Sequence, residues 1–180
     1  METFAQILSI ISCAGIIFSF QLKNNRHLFL VQTFAALGFG VSYLLLGALD
    51  GFLINAVAFT NTTVLLYKKL RKKPILIMIC AAFPIISIVT ALTYNGVWDT
   101  TKILEVAFSF LIAIAQIFYT ITTWGDNGGK IRTVRVLLVT PAWLGYNIVV
   151  SSIGGIICEA FNVVSIIVSF IRYGKNGFEK

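Results

Sequence analysis

The amino-acid sequence predicts an all-α membrane protein whose seven transmembrane helices are arranged as three, one and three. Of its 180 residues, 58% are hydrophobic and 12% are charged, and its mean hydropathy is +0.90. Soluble domains are typically about 45–50% apolar and about 25% charged. The apolar residues form seven runs long enough for a bilayer, and the basic residues cluster in alternate connections between them. We therefore expect lipid to be the solvent of this single domain, residues 1–180.

Each predicted span ends where polar or turn-forming residues begin. Crossing about 30 Å of hydrocarbon takes roughly 17–25 helical residues. The third run is short, and we expect its helix to continue into residues whose long side chains reach the interface. The connections contain Lys23–Asn25, Asp50-Gly51, Tyr94–Gly96 and Gly125–Gly129, which favour turns. The seven predicted spans are Phe4–Phe20, Leu28–Leu49, Phe52–Leu66, Pro74–Leu92, Ile103–Thr123, Thr133–Val150 and Gly154–Tyr173.

The distribution of Lys and Arg predicts the orientation. Of the 14 basic residues, all except Lys102 fall on one side of the seven spans. Because basic loops are retained in the cytoplasm, this places the N-terminus outside and the C-terminus inside. Acidic residues are placed on the outer side: Glu2, Asp50, Asp99 and Glu105. The basic set assigned to cytoplasmic connections and the tail is Lys23, Arg26, Lys68, Lys69, Arg71, Lys72, Lys73, Lys130, Arg132, Arg135, Arg172, Lys175 and Lys180.

An internal repeat is predicted from topology and from matched residues. A shift of 103 residues places Tyr43 on Tyr146 and Gly51 on Gly154. Both three-helix groups begin outside and end inside, so a single helix must restore the direction between them. We therefore predict a first repeat over residues 1–73, a linker helix and loop over 74–100, and a second repeat over 101–180. Parallel repeats of this kind build small transporters with the substrate path at the repeat interface.

Seven residues are candidates for binding a substrate near the repeat interface. Glu159 is a carboxylate inside the last span, where charge is costly and usually faces a cavity or a partner. It could couple transport to protons, or it could instead reach headgroups or bond to a neighbouring helix. Asn162 shares its helix face, and Asn55 lies at comparable depth in the third span, but interhelical bonding would explain both equally well. Aromatic residues near the outer helix ends could stack on a ring-shaped substrate, close an outer gate or simply anchor the helices. The set is Tyr43, Asn55, Trp143, Tyr146, Asn147, Glu159 and Asn162.

Enzymatic chemistry has little support in the sequence. There is no His-Glu-x-x-His or Gly-x-Ser-x-Gly motif, no metal-ligand spacing and one histidine. The three cysteines all lie within apolar runs. The Gly128-Gly129 pair is interpreted as a loop, and Pro141 is expected to kink the sixth helix. We predict no enzyme activity, no cofactor, no metal and no nucleic-acid partner.

Several motifs in the second half resemble the YgjV-type family of bacterial inner-membrane proteins. They are Trp143-Leu-Gly-Tyr-Asn147, Ser152-Ile-Gly-Gly155, Glu159 and Arg172, with weaker matches at Gln32 and Leu45-Leu-Gly47. Tyr146 departs from the histidine expected in some relatives, which weakens any proton-handling role there. The resemblance implies a multi-pass protein of the bacterial inner membrane.

The three-one-three plan is also similar to that of SWEET and PnuC transporters. The chain lacks the Pro-Gln pair that marks PQ-loop repeats, so this similarity implies a fold and a broad class but no substrate. By analogy with those relatives alone, a homo-oligomer is an open alternative. We expect a small-molecule transporter or facilitator that works by alternating access. The alternative is a membrane-embedded interaction or assembly protein that transports nothing.

Overall fold

The computed structural model describes residues 2–94, 96 and 98–174, with the backbone alone at Lys68. Within those residues the chain is a bundle of helices connected by short turns. The predicted basic tail residues Lys175 and Lys180 lie outside the described residues. The helices are α1 (Glu2–Gln21), α2 (Asn25–Leu45), α3 (Leu49–Leu66), α4 (Lys73–Leu92), α5 (Thr100–Trp124), α6 (Gly128–Val134), α7 (Thr140–Val149) and α8 (Ile153–Tyr173).

Six of these helices are long and apolar enough to cross a membrane: α1 to α5 and α8. The remaining predicted span is a helical segment over 128–149 in which a π turn, Arg135–Val139, joins α6 to α7. The backbone N–H of Thr140 donates to the carbonyl of Arg135, five residues earlier. Pro141 explains the wider turn, because it lacks an N–H and its ring crowds the carbonyl four residues before it. The expected disturbance at Pro141 is therefore a π turn.

Two predicted boundaries were wrong, and local chemistry explains both. The turn after α2 is at Gly47, whose φ of +79° suits glycine, and Asp50-Gly51 lies in the first turn of α3. An acidic side chain there is stabilised by the positive end of the helix dipole. Likewise, α6 begins at Gly128 because the Asn127 side chain accepts from the backbone N–H of Lys130, so Gly128-Gly129 is helical and not a loop.

The middle helices organise the packing. α2 packs against α1 and α3, whereas α7 packs against α5 and α8. Between these groups α1 lies along α8, and α3 touches α5. α4 packs on α3 and α5 and has three buried residues, Ile79, Phe83 and Ser87.

The two ends of the bundle differ in charge. One end is formed by the α1–α2, α3–α4 and α5–α6 connections and the C-terminal end of α8, and we call it the basic end. It carries exposed Lys23, Arg26, Lys69, Lys72 and Lys130. Hydrogen bonds join its connections, since the side chain of Asn25 donates to Asp126 and Arg71 pairs with Asp126 at 3.3 Å. The predicted segregation of most basic side chains is thus present.

Two arginines that had been assigned to a connection lie in helices instead. Arg132 is fully buried in α6 and donates to the carbonyls of Phe20 and Leu22 at the end of α1. Arg135 lies a turn deeper, in the π turn. Arg132 remains close to the basic end, but Arg135 does not belong to a connection, and the sequence interpretation of it was wrong.

Candidate functional site

A central cavity of about 70 Å³ lies between the two predicted repeats. Among the described residues no α4 side chain lines it, so its wall comes from the six other predicted spans. Since a water molecule takes about 30 Å³ in the liquid, room of this size holds about two of them. Polar and aromatic side chains dominate the wall although the surrounding bundle is apolar. The lining residues are Ile16, Gln32, Ala36, Phe39, Tyr43, Asn55, Ala58, Asn61, Thr62, Gln116, Tyr119, Arg135, Trp143, Asn147, Gly155 and Glu159.

An ion pair inside the bundle borders this cavity. Nη2 of Arg135 lies 2.6 Å from Oε1 of Glu159, and their side chains are 11% and 6% exposed. The other carboxylate oxygen of Glu159 accepts from the side-chain amide of Asn162 at 3.1 Å. The π turn directs Arg135 towards α8, where Glu159 lies one turn from Asn162. Charges inside a membrane bundle usually face a cavity or each other, and this pair does both.

Two hydrogen bonds close the cavity at the end opposite the basic end. The hydroxyl of Tyr43 donates to Oδ1 of Asn147, and that of Tyr146 donates to Oδ1 of Asp50, each at 2.5 Å. Both bonds join a helix of the first predicted repeat to α7 of the second. We call these four residues the tyrosine gate. Trp143 stacks on Tyr43 with ring centroids 5.6 Å apart, which covers the cavity beneath the gate.

Two glycines allow the helices to approach closely at the tyrosine gate. A Cβ at Gly51 would lie 2.9 Å from the Tyr146 hydroxyl, and the backbone N–H of Gly51 donates to that oxygen at 3.1 Å. A Cβ at Gly155 would lie 2.2 Å from Oδ1 of Asn147. A side chain at either position would force the gate residues apart.

Several polar groups on the cavity wall have hydrogen-bonding capacity left over. Gln116 is 6% exposed, and no hydrogen bond to it occurs within the part of the chain that the structure describes. Oδ1 of Asn61 accepts from the indole N–H of Trp124 at 2.9 Å, and its amide nitrogen donates to no group among the described residues. Nε of Arg135 is buried without a protein acceptor among the described residues. Buried polar groups are normally paired, so these groups indicate a place for water or a ligand.

The structure brings five of the seven candidate residues together around the cavity: Tyr43, Asn55, Trp143, Asn147 and Glu159. The other two, Tyr146 and Asn162, do not line the cavity. Tyr146 is fully buried in the tyrosine gate, and Asn162 is fully buried against Glu159. The amide of Asn55 donates to the carbonyl of Gly51 at 2.9 Å, as an ordinary helix-internal bond.

Sequence reasoning missed Arg135, Asp50 and Gln116. A signal existed for Arg135, because it lies inside the predicted span Thr133–Val150 while being counted with a basic connection. Asp50 was assigned to an outer turn, but it is 4% exposed and bonded to Tyr146. Gln116 had no distinguishing signal, since a lone glutamine in an apolar helix resembles many interhelical hydrogen-bonding residues.

Comparison with known proteins identifies one family. The family model Imp-YgjV, described as bacterial inner membrane protein, matches residues 3–177. No curated protein and no solved structure matches the chain. The resemblance seen in the second half of the sequence is therefore confirmed over nearly the whole chain. The wider similarity to SWEET and PnuC transporters stays a prediction.

Proposed function

This chain belongs to the Imp-YgjV family of bacterial inner membrane proteins, and we propose that it carries a small molecule across that membrane through the central cavity. One observation carries the proposal. A cavity lined by an ion pair and unpaired polar groups lies inside an apolar bundle, where polar groups are expensive and usually serve function. A bundle needed only as a scaffold would be more stable with that space filled by packed side chains.

The mechanism we propose is alternating access between two three-helix halves, α1–α3 and α5–α8, with α4 as the linker. The packing pattern supports it, because each half has a middle helix touching both of its companions. The contacts between halves also correspond: the first helix of each half touches the last helix of the other, as α1 touches α8 and α5 touches α3. A rocking motion of one half against the other would open the cavity to alternate sides.

Both ends of the cavity have bonds that join the two halves. The tyrosine gate closes one end. Towards the basic end, Asn61 of α3 bonds to Trp124 of α5, and Arg71 pairs with Asp126. With the basic end in the cytoplasm, as we propose from its lysines and arginines, the tyrosine gate faces outward. A passive carrier is favoured, because Glu159 is the one group put forward for ion coupling and it is already paired with Arg135.

The alternative is a membrane protein that stabilises a partner without transport. Apolar side chains exposed on α4, including Met78 and Leu92, are compatible with a partner helix, but lipid covers them equally well. Such a protein would copurify with its partner in mild detergent and would show no uptake.

Uptake into proteoliposomes tests the proposal. A panel of labelled sugars, nucleosides, vitamins and amino acids would be offered to wild type, to Asn55→Ala and to Thr60→Ala. Asn55 lines the cavity, whereas Thr60 is an exposed residue of the same helix and serves as the control. We expect uptake of one chemical class, reduced at least tenfold by Asn55→Ala and unchanged by Thr60→Ala. Equal uptake by both variants would show that Asn55 does not contact the substrate, and a flat panel with a copurifying partner would favour the alternative.

A further inference from the structure

The unpaired groups on the cavity wall are mainly hydrogen-bond donors. Arg135 has five N–H groups, of which the structure engages one, at Glu159. The amide nitrogen of Asn61 is also available, because its oxygen already accepts from Trp124. Gln116 can donate as well, since its side chain has no partner among the described residues. The cavity wall therefore has an excess of donors and would suit an occupant rich in acceptors.

In the ion pair, the hydrogen-bonding capacity of Glu159 is used at both oxygens, whereas that of Arg135 is largely unused. Glu159 has both carboxylate oxygens engaged, one by Arg135 and one by Asn162. Arg135 has a single acceptor, and its Nε is buried without one. A planar guanidinium with free donors matches the two oxygens of a carboxylate, which it can hold by two parallel bonds. The unmet hydrogen-bonding capacity at this site is thus for acceptors next to Arg135, which the two oxygens of a carboxylate would supply.

The volume of the cavity limits the size of that occupant. A cavity of about 70 Å³ corresponds to a ligand of about three to five non-hydrogen atoms in this conformation. Tyr43, Trp143 and Tyr119 supply an apolar and aromatic wall for a short carbon chain. A sugar or nucleoside would need the two halves to separate first.

We propose that the cavity binds a small molecule through a single carboxylate held by Arg135, with Gln116 and Asn61 donating to the remaining acceptors. The inference rests on the proposed function, because it assigns a substrate class to the same cavity. Glu159 is a positioning residue: it orients the guanidinium of Arg135 and balances its charge. The bound carboxylate then accepts hydrogen bonds from the remaining N–H groups of Arg135, while Asn162 keeps its hydrogen bond to Glu159.

Matched ligand pairs test the carboxylate directly by binding. The thermal unfolding midpoint of the detergent-purified protein would be measured against propionate and propionamide, which differ in charge but hardly in shape. Alanine tests whether an added ammonium group is accepted, and sodium chloride and sulfate at equal ionic strength test for a simple inorganic anion. We expect a saturable upward shift with propionate or alanine and none with propionamide, chloride or sulfate. Because a ligand stabilises the folded state by RT ln(1 + [L]/Kd), millimolar binding is visible at roughly a hundred millimolar ligand.

Substitutions at Arg135 test whether this residue is responsible for the shift that a carboxylate causes. Arg135→Lys keeps the charge but loses the planar fork, and we expect its apparent Kd for the carboxylate to rise at least tenfold. The double variant Arg135→Gln with Glu159→Gln keeps the site neutral, so it can be used if Arg135→Lys fails to fold. In the double variant, the carboxylate should no longer shift the unfolding midpoint. Thr60→Ala should bind as wild type. A carboxylate shift that persists in the double variant overturns the inference, as does an equal response to propionamide, chloride or sulfate, or no response to either carboxylate.

This outcome is separable from that of the transport proposal, since binding is measured in detergent and uptake in proteoliposomes. Uptake of a neutral compound that is independent of Arg135 would leave the transport proposal standing and overturn the carboxylate. Carboxylate binding without uptake would leave the carboxylate site and overturn transport.

Discussion

At the scale of single residues, the pair between Arg135 and Glu159 is the most deeply buried ion pair among the described residues. Both side chains are almost completely buried, so each charge depends on the other for its solvation. Removing one partner of a buried pair typically costs about 3–5 kcal/mol, because the remaining charge is left uncompensated. Replacing both partners by neutral groups of similar size costs much less.

A double-variant cycle tests this dependence. We expect Glu159→Gln and Arg135→Gln each to lower the free energy of unfolding by about 3–5 kcal/mol. The double variant should be more stable than either single variant. The measurement is reversible unfolding in mixed micelles monitored by tryptophan fluorescence. Losses that simply add in the double variant would show that the two charges do not stabilise each other.

The residues also show what a single sequence can reveal. Glu159 was recognisable because a carboxylate inside an apolar run is rare and costly. Its partner was not, since Arg135 lies 24 positions away on another helix, and sequence spacing says nothing about which helices touch. The same applies to Tyr146 and Asp50, which are separated by 96 positions. Sequence identified several residues of the cavity, but their pairing required the packing of the helices.

At the scale of elements, the π turn before Pro141 sets the direction of Arg135. A π turn accommodates one extra residue, so restoring a regular helix would rotate the preceding side chains by about 100° around the axis. We expect Pro141→Ala to permit that restoration, because alanine supplies the missing N–H. Arg135 would then turn away from Glu159, so uptake should fall at least tenfold, and the free energy of unfolding should fall by about 3–5 kcal/mol because the buried pair is broken.

Proline in α4 provides the matched control for this prediction. Pro84 also lies inside a helix, but no α4 side chain lines the cavity among the described residues. Pro84→Ala should therefore leave uptake within about twofold of wild type and raise the unfolding temperature slightly, since proline is unfavourable in a helix interior. Normal uptake by Pro141→Ala would show that the π turn does not position Arg135.

Element boundaries were predicted well where polar residues flank the apolar runs and poorly where they do not. α4 and α8 match their predicted spans closely, whereas the second helix was predicted to continue to Leu49 and ends at Leu45. Apolar residues continue across that turn, so hydropathy could not locate it. Gly47 was the available signal, because a left-handed residue commonly ends a helix.

At the scale of the whole molecule, the halves are joined by the tyrosine gate at one end of the cavity and by bonds near the basic end at the other. Weakening either set should open the cavity to a reagent from that side. A single cysteine replacing Ala58 on the cavity wall, in a chain whose native cysteines are changed to alanine, would report access to an impermeant thiol reagent. Tyr146→Phe removes a buried bond to a carboxylate, worth roughly 1.5–3 kcal/mol. We therefore expect at least tenfold faster labelling from the outer side. Arg71→Gln removes a partly exposed pair worth about 0–1 kcal/mol, and it should speed labelling from the cytoplasmic side by less than about fivefold.

The sidedness of this labelling also tests the orientation. Tyr146→Phe acting from the cytoplasmic side would reverse the predicted placement of the N-terminus. Labelling equally fast from both sides in every variant would contradict alternating access itself.

Composition and charge distribution were sufficient to predict a multi-pass membrane protein, because apolar length and basic clustering are properties of the chain alone. The relation between the halves is a different matter. It depends on which helices touch, and the thin identity between residues 1–73 and 101–180 leaves that open in the sequence. The contact of α1 with α8 is the clearest example, since it joins the first and last helices of the described chain.

That contact has a consequence for biogenesis. The hydroxyl of Ser165 in α8 donates to the carbonyl of Ile17, 148 residues earlier, and the side chain of Gln21 donates to Ser165. During translation α1 enters the bilayer on the order of ten seconds before α8 leaves the ribosome, at about 5–20 residues per second. For that time the carbonyl of Ile17 and the side chain of Gln21 lack their final partner, Ser165. A chain truncated before α8 would leave the Gln21 side chain without its Ser165 acceptors in the bilayer, and we expect it to be degraded faster than the chain that includes α8.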